Sequence, residues 1–175
     1  RLGIMGTGGI GSAIALAARS FGLTVSGFNS EGRAVDGFTT FYRSADRLAF
    51  AEGLDYLVSV LPQTSQTDNL IDYELLMRLN PQAIVMNVGR GNAVVEAELI
   101  ASLNAGHLRA AVLDVFREEP LPSDDPLWST PGVHITSHTA GPTPDEAIGE
   151  VFERNLQLYI AGESLTDAVL AGRGY

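Results

Sequence analysis

Three side chains that could bind an anion and move a proton each stand just beyond a short apolar segment of this 175-residue sequence. They are Arg90, Glu119 and His138. An imidazole is the side chain best suited to donate a proton near neutral pH, and a neighbouring carboxylate favours its protonated form. A guanidinium grips a carboxylate with a planar fork that lysine cannot offer. These residue types suit acid–base chemistry on a small anionic molecule.

Taken singly, each of these residues also has an ordinary structural explanation. Arg90 could pair with an acid on the surface, since the protein is rich in acidic residues. Glu119 could be one more solvated charge beside Glu118, and His138 could be a histidine in a loop. A function for the three together depends on the elements that carry them.

Those elements alternate between short apolar runs and helical patterns. We predict strands over residues 2–5, 23–28, 54–61, 83–88, 108–115 and 133–135, and helices over residues 10–21, 45–52, 72–79, 94–104 and 145–160. Such alternation indicates βα units and therefore a Rossmann-type α/β fold, a doubly wound parallel sheet with helices on both faces. Ligands of such sheets bind beyond the carboxyl ends of the strands, which is where the three side chains are expected.

A glycine-rich sequence, GTGGIG at residues 6–11, lies between the first predicted strand and the first predicted helix. It matches the pattern G-x-G-x-x-G in the context that the pattern requires. Gly6 permits the tight turn, Gly8 lets the backbone approach a pyrophosphate, and Gly11 allows close packing of helix on strand. The helix N-terminus offers N–H groups and a partial positive charge to an anion. We therefore predict a dinucleotide site.

The end of the second predicted strand bears on the choice between NAD and NADP. Enzymes that use NAD usually place Asp or Glu there, to bind the ribose hydroxyls, whereas this sequence has Asn29. A neutral side chain removes the repulsion of a 2′-phosphate, Ser30 can donate to that phosphate, and Arg33 can pair with it. We expect NADP(H), with NAD(H) as the other possibility, because Glu31 opposes a phosphate if it points inward.

Composition excludes several classes of function. The formal net charge is −10, which disfavours nucleic acid as a partner. All 11 basic residues are arginine, so no lysine chemistry is available and the lysine-dependent β-hydroxyacid dehydrogenases are rejected. Cysteine is absent, no acidic or histidine cluster has metal-ligand spacing, and no apolar run is long enough for a membrane span. With no export signal recognised, we expect a cytoplasmic protein without a metal site.

The sequence resembles the nucleotide-binding domain of the D-isomer-specific 2-hydroxyacid dehydrogenases over essentially its whole length. The resemblance rests on residues 6–11, the sequence LPQT at 61–64, residues 87–91, residues 114–120 and His138. Residues 119–128 and the closing residues 172–175 look most like the glyoxylate/hydroxypyruvate reductase branch. That branch often prefers NADPH, in line with the residues that follow the second strand.

The resemblance implies reduction of a small 2-oxo acid to a D-2-hydroxy acid by hydride from a nicotinamide. His138 would donate the proton, Glu119 would hydrogen-bond to His138, and Arg90 would hold the substrate carboxylate. Asp114 would bind the nicotinamide carboxamide. The cofactor contacts that we predict are Gly6, Gly8, Gly9, Ile10, Gly11, Asn29, Ser30, Arg33, Leu61, Pro62, Thr67, Val88, Gly89, Asp114, His138 and Gly141.

Two departures from the family pattern bear on these expectations. Ser137 stands where many members have proline before the histidine. Members also carry a substrate domain ahead of the glycine pattern, so we expect this chain to be part of a longer one and to form one wall of the active-site cleft. We assign residues 1–150 to the dinucleotide-binding domain and residues 151–175 to the end of a crossover helix and a tail.

The resemblance also implies a homodimer, with the helix at 94–104 and the proline-rich loop as candidate surfaces. One alternative stays open, a nucleotide-sensing protein of the C-terminal binding protein corepressor type, because those proteins share the fold and the three chemical residues. A purely structural domain of this fold is a further alternative, but it leaves Arg90, Glu119 and His138 unexplained.

Overall fold

The computed structural model describes residues 1–141 and 145–166, and a parallel sheet forms its centre. The strands are β1 (Leu2–Met5), β2 (Val25–Asn29), β3 (Thr40–Arg43), β4 (Tyr56–Ser59), β5 (Ala83–Asn87), β6 (Leu108–Leu113) and β7 (Val133–Ile135). Their order is β3-β2-β1-β4-β5-β6-β7, and every neighbouring pair is parallel. The predicted doubly wound sheet is confirmed.

Helices cover both faces of this sheet. They are α1 (Gly9–Ser20), α2 (Arg47–Ala51), α3 (Tyr73–Leu76), α4 (Glu96–Asn104) and α5 (Asp145–Ala161), with short 3₁₀ turns at Ser44–Asp46, Gly91–Ala93 and Pro126–Trp128. Ile4 of β1 packs on one face with residues of α1. Met5, the next residue, belongs to the core on the other face, which includes residues of α2, α3 and α4. Ile4 and Met5 belong to different cores because successive side chains of a strand point to opposite faces of the sheet.

The structure corrects several predicted element bounds. The edge strand β3 was not predicted, because it has only two partly buried apolar residues between an exposed Thr40 and an exposed Arg43. Its pairing with β2 supplies the backbone order that its composition does not signal. The strand predicted over 54–61 is confined to β4, and the helix predicted over 72–79 is the single turn α3.

Helix α5 differs from the other helices because none of its residues is buried. Its large apolar side chains are exposed, with Phe152, Tyr159 and Ile160 each at least 67% accessible. The division of the chain at residue 150 and the crossover role of this helix stay predictions. The motif at residues 172–175 lies outside the described residues.

Candidate active site

A cavity of about 720 Å³ opens where the strand order reverses between β1 and β4. In open α/β sheets this is the place where ligands bind. Eleven of the predicted cofactor residues line it together with Arg90: Gly6, Gly8, Ile10, Asn29, Ser30, Arg33, Leu61, Pro62, Thr67, Val88 and Gly89. The lining does not include Gly9, Gly11, Asp114, His138 and Gly141, nor Glu119.

The turn from β1 into α1 has the shape that a pyrophosphate needs. Gly6 has a φ of 102°, and a Cβ added to Gly11 would lie 1.9 Å from the carbonyl oxygen of Gly6. Close packing of α1 on the strand therefore requires glycine at position 11. Gly8 precedes α1 without a capping side chain, and the first turn of α1 contains no acidic residue. No atom lies within 4 Å of a Cβ added to Gly8, so the helix N-terminus is open to an anion.

The amide of Asn29 organises the turn that follows β2. Its Nδ2 donates to the Thr7 Oγ1 at 3.1 Å and to the Arg33 carbonyl oxygen at 2.8 Å. Its Oδ1 accepts from the backbone N–H groups of Glu31 and Arg33, at 3.1 and 2.9 Å. Ser30, Glu31 and Arg33 thereby come to line the same end of the cavity. The sequence had indicated the missing charge at Asn29 but not this structural role.

The loop after β4 forms the facing wall of the cavity and is closed by Thr67. The Thr67 hydroxyl donates to the Pro62 carbonyl oxygen at 2.7 Å and accepts from the Thr64 N–H at 2.9 Å. Several lining residues were not among the predicted cofactor contacts: Thr7, Phe28, Glu31, Ser44, Val60, Gln63, Thr64, Gln66 and Leu70.

Arg90 is presented at the end of β5 by the buried amide of Asn87. The Asn87 Nδ2 donates to the Arg90 carbonyl oxygen at 3.0 Å, and the Asn87 Oδ1 accepts from the Gly89 N–H at 3.3 Å. The Arg90 guanidinium donates to the Gly89 carbonyl oxygen at 2.7 Å and lines the cavity. A fully buried asparagine thus holds the backbone of an exposed arginine in place.

His138 and Glu119 form the predicted pair. The His138 Nδ1 lies 2.8 Å from the Glu119 Oε2, and the Glu119 Oε1 accepts from the Phe116 N–H at 2.9 Å. These two hydrogen bonds, that to His138 first, lower the pKa of Glu119 below its ordinary value of 4.5, and the positive charge of Arg90 acts in the same direction. Arg90 therefore lies within electrostatic reach of the pair.

Asp114 anchors the loop that carries His138. Its buried carboxylate accepts from the Thr136 hydroxyl at 2.5 Å and from the N–H groups of Thr139 and Ala140, both at 2.9 Å. Burial opposes ionisation, but these donors outweigh it and hold the pKa of Asp114 below its ordinary value of 3.8. The structure shows this anchoring role, which was not predicted. A contact with the nicotinamide carboxamide stays a prediction.

The backbone of His138 is in an unusual conformation. Its φ is 55°, in the left-handed region that residues other than glycine rarely adopt. The His138 N–H donates to the Asp114 carbonyl oxygen at 2.8 Å, so the loop is held on both sides of this residue. Each non-glycine residue held in this region lowers the stability of the fold by about 1–3 kcal/mol, and such residues cluster at active sites.

The site has features of acid–base chemistry beside an anion site. Within residues 1–141 and 145–166, no group of three His, Asp or Glu side chains is arranged to hold a metal ion. Among the helices of this described part, none is long and apolar enough to cross a membrane.

The fold and the site define a Rossmann-type dinucleotide-binding domain in which Arg90 lines the groove and Glu119 pairs with His138. Residues 1–140 match the family described as "D-isomer specific 2-hydroxyacid dehydrogenase, NAD binding domain". The chain belongs to this family.

Similar proteins are named as reductases and dehydrogenases. The glyoxylate/hydroxypyruvate reductase A of Yersinia enterocolitica is 38% identical over 174 residues, which cover 99% of this chain and 56% of that protein. A D-isomer specific 2-hydroxyacid dehydrogenase from Xanthobacter autotrophicus, crystallised with NADPH and MES, matches with a TM-score of 0.94 at 36% identity and covers 100% of this chain and 72% of that one.

A third similar protein is the NADPH-dependent glyoxylate/hydroxypyruvate reductase of Sinorhizobium meliloti, solved with NADP and sulfate. It matches with a TM-score of 0.92 at 32% identity, and the match covers 99% of this chain and 56% of that one. The chain therefore spans about half the length of the curated relatives that it matches.

Proposed function

We propose that the protein is a reductase of small 2-oxo acids of the glyoxylate or hydroxypyruvate type, that it uses NADP(H) in preference to NAD(H), and that its products are D-2-hydroxy acids. The observation that carries this proposal is the His138–Glu119 pair, 2.8 Å apart, within electrostatic reach of an arginine that lines the dinucleotide groove. The names of the similar proteins support the same activity.

Each of the three residues has a role that follows from its contacts. Because Glu119 engages the His138 Nδ1, the Nε2 is the nitrogen left to donate a proton to the substrate carbonyl oxygen. The Glu119 carboxylate, whose pKa is lowered by its contacts, faces the His138 ring as an anion that favours proton transfer through that ring. Arg90 binds the substrate carboxylate and orients the carbonyl toward the acid. A bound NADPH supplies the hydride.

The residues present fit such a cofactor. The uncapped start of α1 suits the pyrophosphate, and the turn held by Asn29 brings Ser30 and Arg33 to the adenosine end of the groove. Similar proteins were crystallised with NADPH or NADP. The 2′-phosphate of NADP(H) is therefore proposed to contact Ser30 and Arg33.

The preference is tested by titrating the chain with NADPH and with NADH, followed by fluorescence or calorimetry. Tighter binding of NADPH is expected, and Arg33→Ala should weaken NADPH binding while leaving NADH binding nearly unchanged. Arg109→Ala, an exposed arginine of β6 that is not part of the groove lining, serves as the matched control. Equal affinity for both nucleotides in the wild type would remove the case for phosphate selection.

The activity is tested by following NADPH oxidation with glyoxylate and with hydroxypyruvate. Because these 175 residues span about half of the curated relatives, we expect them by themselves to bind NADPH with little turnover. A protein that carries the chain together with a substrate domain should turn over at ordinary enzymatic rates. A rate of that order from the 175 residues alone would contradict the expectation that turnover requires a substrate domain.

The homodimer and the cytoplasmic location are also proposed. The exposed side chain of Trp128, 54% accessible, lies on the proline-rich loop and supports that loop as a contact surface. Its indole N–H donates to the Pro122 carbonyl oxygen at 2.8 Å, which fixes the ring on the loop. Sedimentation should give twice the chain mass, and Trp128→Ala should shift the equilibrium toward monomer. A wild-type monomer at micromolar concentration would contradict the proposal.

A further inference from the structure

We propose that Arg117 is a positioning residue that holds the segment of Glu119, the partner of His138, in place against the loop of Arg90. The role rests on the proposed function, since it matters for catalysis only if those three residues act together. Arg117 lies two residues before Glu119, and its side chain turns away from that residue toward two other segments of the chain.

The guanidinium of Arg117 reaches across to the turn that follows Arg90. Its Nε donates to the Val94 carbonyl oxygen at 3.1 Å, and its Nη2 donates to the Asn92 carbonyl oxygen at 2.7 Å. Asn92 lies within the 3₁₀ turn Gly91–Ala93, and Val94 directly follows it. The planar fork of an arginine can satisfy both carbonyl groups at once, whereas an ammonium is a single point of charge.

The same guanidinium also reaches the segment that follows the groove wall. Its Nη2 donates to the Asn69 Oδ1, and its Nη1 lies 3.6 Å from the Asp68 Oδ1. Asp68 directly follows Thr67, which closes the loop that walls the cofactor cavity. One side chain therefore ties together the groove wall, the turn after Arg90 and the segment that leads to Glu119.

The backbone of Arg117 is fixed at the same junction. The Arg117 N–H donates to the Glu96 Oε1 at 3.0 Å, in the first turn of α4. Gly91 packs directly beneath this backbone, because a Cβ at position 91 would lie 1.9 Å from the Phe116 carbonyl carbon and 2.4 Å from the Arg117 nitrogen. The N–H of the neighbouring Phe116 donates to the Glu119 Oε1. The contacts that fix the backbone of Arg117 therefore also fix the position of the Glu119 carboxylate.

The test reads the hydrogen bond between Glu119 and His138 in the 175-residue chain. In a neutral imidazole, the bond to Glu119 places the proton on Nδ1, while an unpartnered imidazole carries it mainly on Nε2. Two-bond ¹H–¹⁵N spectra distinguish these tautomers, and the chain has three histidines, of which His107 and His134 are internal references. The wild type should show the Nδ1–H tautomer at His138.

Two variants of Arg117 are compared. Arg117→Ala is expected to shift His138 toward the Nε2–H tautomer, because the Glu119 segment loses its hydrogen bonds to the turn after Arg90 and to the segment of Asn69. Arg117→Lys, which can reach one of the two carbonyl groups, should give an intermediate population. If Arg117→Ala does not fold, the lysine variant carries the test. A wild-type tautomer in the alanine variant, or in the lysine variant, would overturn the proposal.

The matched control is Arg47→Ala. Arg47 is also partly buried, and its guanidinium donates to the Leu70 carbonyl oxygen at 2.9 Å and to the Asp72 Oδ1 at 2.6 Å, outside the Glu119 segment. Its loss should lower the stability of the fold and leave His138 unchanged. An equal shift of the His138 tautomer in Arg47→Ala would show that lower stability of the whole fold, rather than the Arg117 contacts, moves the tautomer. That result would overturn the positioning role.

The outcome is separable from that of the proposed function. If the wild type binds no NADPH but the His138 tautomer responds to Arg117 as expected, the proposed function is refuted and the positioning contact stands. If NADPH binds but the tautomer does not respond to Arg117, the positioning role is refuted alone. Absence of the Nδ1–H tautomer in the wild type would refute the positioning role together with the geometry that carries the proposed function.

Discussion

The two ends of the site are built in different ways. At the part of the groove suited to a pyrophosphate, the main chain forms the site, through the turn at Gly6 and the open N-terminus of α1. At the acid–base end, side chains do it, because Asn87 holds the backbone of Arg90 and Asp114 holds the loop of His138.

Side-chain contacts across some twenty residues shape both ends, and the Arg117 contacts reach farther. The contacts of Asn29 that shape the cofactor end span at most 22 residues. The Asp114 contacts with the His138 loop span 22 to 26 residues, and the contact of Arg117 with Asn69 spans 48. Because one end shapes the nucleotide groove and the other holds the proposed proton donor, substitutions at the cofactor end should change binding and stability, and substitutions at the acid–base end should first change the rate.

The largest expected effect is on the rate, from His138→Ala. Removing the proposed general acid should lower the catalytic rate by about 10²–10⁴-fold in the protein that turns over. NADPH affinity should change little. Steady-state kinetics and nucleotide titration measure the two effects separately, and an unchanged rate would reassign the proton donor.

A large loss of stability is expected from Gly11→Ala. The new Cβ would lie 1.9 Å from the Gly6 carbonyl oxygen, so α1 must move away from β1. The cost should reach the upper end of roughly 1–3 kcal/mol, with weakened NADPH binding. Urea denaturation measures it.

Gly149→Ala is the matched control for that substitution. Gly149 lies inside α5 and no atom lies within 4 Å of its added Cβ, so the change should stabilise the helix by roughly 0.5–1 kcal/mol. Equal destabilisation by the two variants would show that contact with Gly6 is not the cause.

A smaller effect that depends on pH is expected from Asp114→Asn. Because the pKa of Asp114 is lower in the folded state than its ordinary value of 3.8, its contribution to stability is present above that value. The contribution is lost as the pH falls through the lower, folded-state pKa. The free energy of unfolding should therefore decline less steeply below about pH 4 in the variant than in the wild type. Parallel declines would contradict the anchoring role.

The smallest effect on stability is expected from Glu119→Gln. The Glu119 and His138 side chains are 36% and 49% accessible, and exposed ion pairs contribute about 0.2–1 kcal/mol. The rate should nevertheless fall clearly at neutral pH, because the imidazolium loses its negative partner. Comparing the thermal midpoint with the pH–rate profile checks both, and a stability loss larger than that from Gly11→Ala would reverse the comparison between the two ends.

Much of the fold was predictable because parallel strands that are buried on both faces are continuous apolar runs. β1 and β5 were predicted to within one residue at each end. β3 was not predicted, because an edge strand with exposed ends has no such run and its order comes from its pairing with β2. The pair of His138 with Glu119 was predicted from residue types and from the resemblance to a family.

The amino-acid sequence by itself determined the class of the fold, the glycine turn and the residue types available for acid–base chemistry, because these depend on local composition and spacing. The tertiary structure alone decided which polar side chains form the hydrogen bonds that hold the site together. It joined Asn29 to Thr7, Asp114 to the loop of His138, and Arg117 to the junction of three segments. Hydrogen bonds between distant segments depend on directions and distances that exist only once the sheet has brought those segments together.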